Sequence, residues 1–268
     1  MTWPLAVATG GYVDRPIVDV LAAVHEAGIT TVELGTPPRH FAPWDRSQID
    51  AVAAELGRTA LHPLSIHAPF GGPLDLADAN PRHRQAAIAA ILTAAGALKR
   101  LGGRIVVVHP SDTVRHAHEV DGRLRGCIEA LQGLAGAIDG LDMRLALETP
   151  LPHLVGGSPE EFVRILAALP ESVGVCLDTG HAHLGHHWHR FIEAVGHRLV
   201  HVHATDHHGR FDDHLPPGDG VLDWADIGRT LRGVGYTGCI VLEVAAGREP
   251  MPEYFRRARR QAQALLDG

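Results

Sequence analysis

Short apolar runs alternate with amphipathic stretches along the whole chain, and this pattern constrains the fold more than any other feature. Parallel strands buried on both faces are predicted at Leu5–Gly10, Thr31–Gly35, Leu64–Pro69, Ile105–Pro110, Leu145–Pro150, Val173–Asp178, Leu199–Ala204 and Cys239–Val244. Helices are predicted at Ile17–Ala27, Gln48–Ala60, Arg82–Leu101, Leu124–Ile138, Pro159–Ala168, Arg190–Gly196, Ala225–Val234 and Pro252–Leu266. Right-handed βα units in this number close as a barrel, so residues 1–268 are predicted to form one α/β domain, a (β/α)8 TIM barrel.

Residues at the predicted helix ends agree with this division. Asp45 to Ser47 is typical of a helix start, and Ser158 followed by Pro159 is typical of an N-cap with proline in the first turn. Gly28, Gly102 and Gly235 each follow a helix, where a left-handed residue is expected.

Composition excludes several classes of protein. The chain lacks an apolar run long enough for a signal peptide or a membrane span, so a soluble cytoplasmic protein without a membrane partner is expected. Cys127, Cys176 and Cys239 lie far apart, which argues against a disulfide framework or a cysteine-rich zinc site and favours three core thiols. Lys99, the only lysine, falls within a helix, which excludes a Schiff-base aldolase.

Net charge argues against a nucleic-acid partner. The formal charge is −7 and the pI is about 6.3, whereas broad attraction to phosphate backbones requires a basic face. Histidine is abundant, with 20 residues, and its distribution is more informative than its number.

Polar residues with metal-ligand chemistry stand where the predicted strands end. From strand 2 to strand 8 they are Glu33, His67, His109, Glu148, Asp178 with His181, His203 and Glu243. The loop after strand 7 adds Asp212 and His214, followed by a Pro-Pro-Gly-Asp-Gly turn that returns the backbone towards its start. Imidazole and carboxylate are the usual ligands of zinc, manganese and iron, and the carboxyl ends of the strands build the active site of this fold.

Other members of this polar set have simpler interpretations. Glu33 is expected to be a carboxylate at the barrel mouth that contacts substrate, and His201 and Cys176 to be core side chains one layer below the strand ends. The HLGHHWH segment, residues 183–189, is expected to form a solvated rim at the start of a helix. The remaining loop histidines are also interpreted as rim residues: His116, His118, His153, His207 and His208.

The motifs SIHAPF, VVVHP, LALETP, CLDTGH, HVHATD, FDDH and VLEV together resemble the xylose isomerase-like TIM-barrel superfamily. The resemblance extends over nearly the whole chain and is strongest to the sugar phosphate isomerase/epimerase-like proteins. For a ketose 3-epimerase it implies one metal ion on Glu148, Asp178, His203 and Glu243. It also implies a metal-stabilised enediolate, Glu148 and Glu243 as the proton-transferring residues, and His181 as a substrate ligand. Those epimerases tend to carry arginine where this chain has His214.

The same superfamily includes the endonuclease IV nucleases, whose nine ligands for three ions all have counterparts here. The resemblance implies one ion on His67, His109 and Glu148, a second on the four epimerase ligands, and a third on His181, Asp212 and His214. Such a cluster activates water for attack on a phosphoester. The acidic net charge argues against a nuclease. So does the ETPLPHLVGGS loop, because it departs from the asparagine-bearing segment of the nucleases.

The preferred interpretation is therefore a divalent-metal-dependent isomerase or epimerase of a small sugar or sugar phosphate. A multi-metal phosphoester hydrolase is the alternative, and a metal- or sugar-binding barrel without activity is a third possibility. Glu33, Arg39, His40 and Trp44 are the predicted substrate-binding residues. The sequence leaves open the number of ions, from one to three, their identity among zinc, manganese, iron and cobalt, the substrate and the oligomeric state.

Overall fold

The computed structural model describes residues 2–267, and its eight strands form a closed, all-parallel barrel in chain order. The TIM barrel predicted from the sequence is confirmed. The strands are β1 (Leu5–Ala8), β2 (Thr31–Leu34), β3 (His62–His67), β4 (Ile105–Val108), β5 (Arg144–Glu148), β6 (Gly174–Asp178), β7 (Leu199–Ala204) and β8 (Ile240–Leu242).

Helices surround the barrel. They are α1 (Ile17–Glu26), α2 (Arg46–Thr59), α3 (Pro81–Leu101), α4 (Val120–Asp139), α5 (Pro159–Ala167), α6 (Thr179–Leu184), α7 (Trp188–Val195), α8 (Trp224–Gly233) and α9 (Met251–Asp267). Among residues 2–267, no helix has an apolar stretch that could cross a bilayer.

The region after β6 differs from the sequence-based prediction. Helix α6 begins directly after the strand and was not predicted as a separate element, because it has only six residues, two of them histidine, and shows no helical apolar pattern. Helix α7 begins at Trp188 and is followed by a 3-10 turn, so Gly196 is not its end as predicted. Helix α4 begins at Val120, which adds one turn before the predicted start at Leu124.

Most of the predicted helix ends are confirmed. The side chain of Asp45 accepts hydrogen bonds from the first turn of α2, and that of Ser158 accepts one from α5. Gly28, Gly102 and Gly235 all have positive φ, a conformation that glycine adopts without the clash of a Cβ atom.

Two cores flank the strands. Alternate strand side chains such as Val7, Val106 and Leu147 pack outward in the large layer beneath the helices. Small residues point inward, with Ala6 and Ala8 in one cluster and Ala146 in another. Because small side chains fill little of the barrel, the interior has room for buried polar groups below its mouth.

Candidate functional site

A cavity of about 580 Å³ opens at the carboxyl ends of the strands. Its floor contains the predicted ligands His67, His109, Glu148, His181, Asp212, His214 and Glu243. This volume is in the range of cavities that bind small molecules. The structure therefore brings side chains from widely separated parts of the sequence into one place.

The DTGH segment after β6 places two site residues through a single helix cap. Oδ1 of Asp178 accepts a hydrogen bond of 2.7 Å from the backbone N–H of His181, which makes Asp178 the N-cap of α6. The other carboxylate oxygen, Oδ2, is buried and has no hydrogen-bond partner among residues 2–267. Burial raises the pKa of Asp178 to about 7 in the metal-free protein.

Glu148 joins two histidines from the preceding strands. Its Oε2 lies 3.0 Å from Nε2 of His67 and 3.2 Å from Nε2 of His109. Burial alone would raise the pKa of Glu148, but the attraction of His109 and His203 lowers it well below the ordinary value. The carboxylate is therefore ionised at neutral pH and able to accept a proton or bind a cation.

A second group of ligand atoms surrounds Nδ1 of His203. This nitrogen lies 3.3 Å from Oε1 of Glu148 and 3.2 Å from Oε2 of Glu243. Ligand atoms of these three residues and Asp178 all lie within 4.8 Å of one another. The four side chains come from β5, β6, β7 and the residue after β8, so they approach the same point from different sides.

A third group lies towards the cavity mouth. Oδ2 of Asp212 is 3.1 Å from Nε2 of His181 and 3.0 Å from Nε2 of His214. His214 has a φ of 48°, an uncommon value for a residue with a Cβ atom, and this conformation carries its ring over the site. Burial would lower the pKa of His214, but its hydrogen bond with Asp212 raises it to about 10.

Backbone carbonyls orient three of these imidazoles. Nδ1 of His67 lies 3.2 Å from the carbonyl of Ala68, and Nδ1 of His181 lies 2.9 Å from that of Thr149. Nδ1 of His214 is 3.1 Å from the carbonyl of Glu243. Because a carbonyl oxygen only accepts, Nδ1–H donates in each case and Nε2 is left as the coordinating atom.

Unpartnered polar atoms show that the site fits a cation. Oδ2 of Asp178, Oδ1 of Asp212 and Nδ1 of His109 are buried without a hydrogen-bond partner in the described chain. An unpaired buried polar atom is costly, and carboxylates beside imidazoles are the ligands of divalent metals. The donor chemistry therefore suits one to three divalent ions, in the groupings expected from the sequence.

Glu33 lies beneath these groups at the base of the cavity, and its contact with substrate stays a prediction. Its side chain is fully buried. Oε2 accepts hydrogen bonds from the hydroxyl of Ser65 at 2.7 Å and from Nε2 of His201 at 2.9 Å. Oε1 lies 3.0 Å from Nε2 of His203. Burial alone would raise the pKa of Glu33, but the attraction of His203 and the hydrogen bond from His201 lower it well below its ordinary value.

The other three predicted substrate-binding residues do not all lie at the cavity. Trp44 is 58% exposed and lines the cavity. His40 does not line it: the ring is buried and contacts the hydroxyl of Thr9 and the carbonyl of Arg15. Arg39 is exposed, lies outside the lining and pairs with Asp14.

No pattern in the sequence marks several apolar residues that form the cavity wall. They are Val13, Leu74, Leu151 and Leu154, together with Phe70, which stacks on His109 at 4.1 Å between ring centroids. Isolated apolar residues in loops carry no sequence signal for a cavity, because only the folded barrel brings these loops together.

The remaining histidines and thiols follow the sequence predictions with two exceptions. His201 and Cys176 are fully buried, as predicted. They form a further possible ligand group with His203 inside the barrel. His207 is also buried, so its assignment to the rim is wrong; its Nδ1 accepts a hydrogen bond from the backbone of Gly209. Cys239 is half-buried rather than a core thiol.

Comparisons with known proteins agree with this architecture. Residues 21–265 match the model of the family described as xylose isomerase-like TIM barrel. The solved structure of a D-tagatose 3-epimerase-like protein superposes with a TM-score of 0.85 and 21% identity, covering 100% of this chain and 98% of that one. At that identity the likeness shows the fold alone.

Two curated relatives match part of the chain. An uncharacterised protein of Methanocaldococcus jannaschii is 28% identical over 186 residues, which are 66% of this chain and 63% of that protein. A D-psicose 3-epimerase of Agrobacterium fabrum is 26% identical over 147 residues, 53% of this chain and 49% of the enzyme. The matched region thus spans less than two thirds of either relative.

Proposed function

The chain belongs to the xylose isomerase-like TIM barrel family, and we propose that it is a divalent-metal-dependent isomerase or epimerase of a small sugar or sugar phosphate. The observation that carries the proposal is the group around Nδ1 of His203. The carboxylates of Glu148, at the end of β5, and Glu243, directly after β8, lie 3.3 and 3.2 Å from this nitrogen. The similarity to a D-psicose 3-epimerase supports the same class of reaction.

The residues of this group would hold the ion. Glu148, Asp178, His203 and Glu243 offer atoms within 4.8 Å of one another, and Oδ2 of Asp178 has no other partner in the described chain. When bound, a divalent ion polarises a carbonyl and so acidifies the neighbouring C–H bond.

The chain's own carboxylates then carry the proton. The positive charge of His203 keeps the pKa values of Glu148 and Glu243 low in the metal-free protein, although burial alone would raise both. Each is ionised at neutral pH, so one removes the proton next to the carbonyl and the other returns it. Nδ1–H of His181 donates to the Thr149 carbonyl. When the outer group holds no ion, the ring is protonated and its Nε2–H can donate to a substrate oxygen, because burial, which lowers the pKa, is outweighed by Asp178 and Asp212, which raise it well above its ordinary value.

Solvent exchange tests this assignment. The metal-loaded protein is incubated in D₂O with fructose, tagatose and psicose, and their phosphates, and C3 deuteration and epimer formation are followed by NMR. Glu148→Gln and Glu243→Gln keep the side-chain shape and should each lower turnover by about a hundredfold or more. Exchange that persists in both variants, or is absent from every ketose, would contradict the proposal.

A second candidate is favoured by the other two ligand groups. His67 and His109 share Glu148 with the central group, and His181, Asp212 and His214 form a separate one. A single-metal isomerase does not require either group, whereas a multi-metal phosphoester hydrolase uses all three. Elemental analysis separates the candidates: about one ion per chain favours the isomerase. Two or three ions per chain, with hydrolysis of bis(p-nitrophenyl) phosphate or abasic DNA, favour the hydrolase.

A further inference from the structure

The walls of the cavity differ sharply from its floor. The floor carries the carboxylates and imidazoles, whereas the loops above it contribute mainly apolar side chains. On one side these are Val13, Pro37, Pro38, Trp44, Phe70 and Leu74. Leu151 and Leu154 extend from the loop after β5. If one end of a substrate contacts the floor, its other end must therefore lie between the apolar walls.

Exposure along this wall marks it as a binding surface. Val13, Trp44 and Phe70 are 48%, 58% and 48% exposed, although all three line the cavity. They come from the loops after β1, β2 and β3, so they form one continuous side of the entrance. Large apolar side chains that are exposed to water beside a cavity are typical of a ligand site, because a bound ligand would remove their apolar surface from water.

The charges that line the cavity argue against a substrate with an anionic group at the end remote from the floor. Within residues 2–267, neither arginine nor lysine is among the lining residues. Besides the donor groups, the charged side chains that line the cavity are acidic. They are Glu33 at the base and Asp112 in the loop after β4. Arg39, a predicted substrate-binding residue, pairs with Asp14 outside the cavity. A phosphate held away from the floor would lie without a cationic partner.

We propose that the natural substrate is an uncharged keto-sugar that carries an apolar substituent, such as an alkyl or aryl group, at the end remote from its carbonyl. The inference rests on the proposed function, because the carbonyl end is assigned to the donor groups on the floor. Trp44 and Phe70 bind the substituent. The cavity volume of about 580 Å³ fits such a molecule, since this range accommodates ligands larger than one monosaccharide.

Three probes with the same reaction centre test the proposal: fructose, fructose 6-phosphate and 6-O-benzylfructose. Their affinities for the metal-loaded protein are measured by calorimetry. Burial of one phenyl ring should strengthen binding of the benzyl ether about tenfold to a hundredfold over fructose. Fructose 6-phosphate should bind no more tightly than fructose.

Variants locate the effect. Trp44→Ala should remove most of the gain of the benzyl ether over fructose, measured as the ratio of the two affinities within the same variant. Phe211→Ala is the matched control, because Phe211 is 64% exposed in the loop after β7 but does not line the cavity. In the wild-type protein, the benzyl ether should also protect Trp44 from iodide quenching, since Trp3, Trp188 and Trp224 are buried.

Outcomes for the substrate class and for the reaction remain separate. Equal affinities for fructose and its benzyl ether, or tightest binding of fructose 6-phosphate, overturn the inference even if the protein epimerises fructose. A gain that persists in Trp44→Ala also overturns it. A benzyl preference that depends on Trp44 but is accompanied by no proton exchange on any ketose supports the apolar subsite and contradicts the proposed reaction.

Discussion

Oε1 of Glu33 lies 3.0 Å from Nε2 of His203, on the opposite side of the imidazole from Glu148 and Glu243. The ring thus has one nitrogen facing the donor group and the other facing a buried carboxylate. The two atoms form a close ion pair without regular hydrogen-bond geometry. A buried carboxylate beside the distal nitrogen of a metal-binding histidine stabilises positive charge on the ring and increases its basicity. Ser65 and His201 fix Glu33 in turn, so three strands support the orientation of one ligand.

We therefore expect Glu33→Gln to weaken metal binding without unfolding the barrel. The amide lacks the negative charge that stabilises N–H of His203, and loss of such a partner lowers metal affinity by about tenfold to a hundredfold. Competition with a fluorescent chelator measures the affinity, and circular dichroism monitors the fold. Asp112→Asn serves as a control, because Asp112 lines the cavity outside the donor groups. Equal metal affinity in Glu33→Gln and wild type would contradict the positioning role.

Removal of His67 distinguishes a single-ion site from a cluster. If the proposed isomerase is right, His67→Ala keeps the ion on Glu148, Asp178, His203 and Glu243, and kcat/KM stays within about tenfold of wild type. If the catalytic site is a cluster, the same change removes one ion and most turnover. Metal content and rate are measured on the same preparation, and His203→Ala is the reference variant that should lose the central ion. Loss of one ion together with most turnover in His67→Ala would contradict a single-ion mechanism.

If the groups that contain His67 and His214 bind ions, their affinity for metal should rise with pH. Burial would lower the pKa of His67, but its hydrogen bond with Glu148 raises it to about 9, and the pKa of His214 is raised to about 10. Both imidazoles are therefore protonated at pH 7 in the metal-free protein, while only the neutral ring binds a metal. Occupation of their groups releases protons, so affinity should increase by about one order of magnitude per pH unit for each proton released.

Calorimetry in buffers of different ionisation enthalpy measures this proton release between pH 6 and pH 9. His214→Asn should release fewer protons than the wild type if the outer group binds an ion. An affinity that is constant over this range, with no buffer dependence, would show that neither His67 nor His214 is a ligand.

The sequence sufficed for the fold and for the composition of the donor groups because both depend on a repeated local pattern. His109 and Glu148 each end an apolar run, and the carboxyl ends of parallel strands meet at one face of a barrel. The place of Glu33 could not be inferred in this way, since its burial depends on Ser65 and His201 from other strands. The apolar wall could not be predicted for the same reason: Phe70 and Leu154 line the same cavity only after the barrel closes.

Asp206 stabilises the loop that carries Asp212 and His214. The carboxylate is fully buried and accepts hydrogen bonds from the backbone of His207, Gly218 and Leu222, and from Nε1 of Trp224 at 2.8 Å. The backbone of Asp206 also pairs with that of Leu215 in both directions at 2.8 Å, which closes the loop 207–214 just before the Pro-Pro-Gly-Asp-Gly segment.

Asp206→Ala should therefore destabilise the protein by about 3–5 kcal/mol, because it leaves two buried and two partly buried donors without an acceptor. Urea unfolding of the metal-free protein measures the free energy, so that loss of a bound ion does not contribute. Asp213→Ala is the matched control in the same loop: its carboxylate accepts one bond, from the backbone of His208, and its loss should cost about 1 kcal/mol or less. Similar destabilisation by both variants would show that the loop does not depend on Asp206, and the placement of Asp212 and His214 would then require another support.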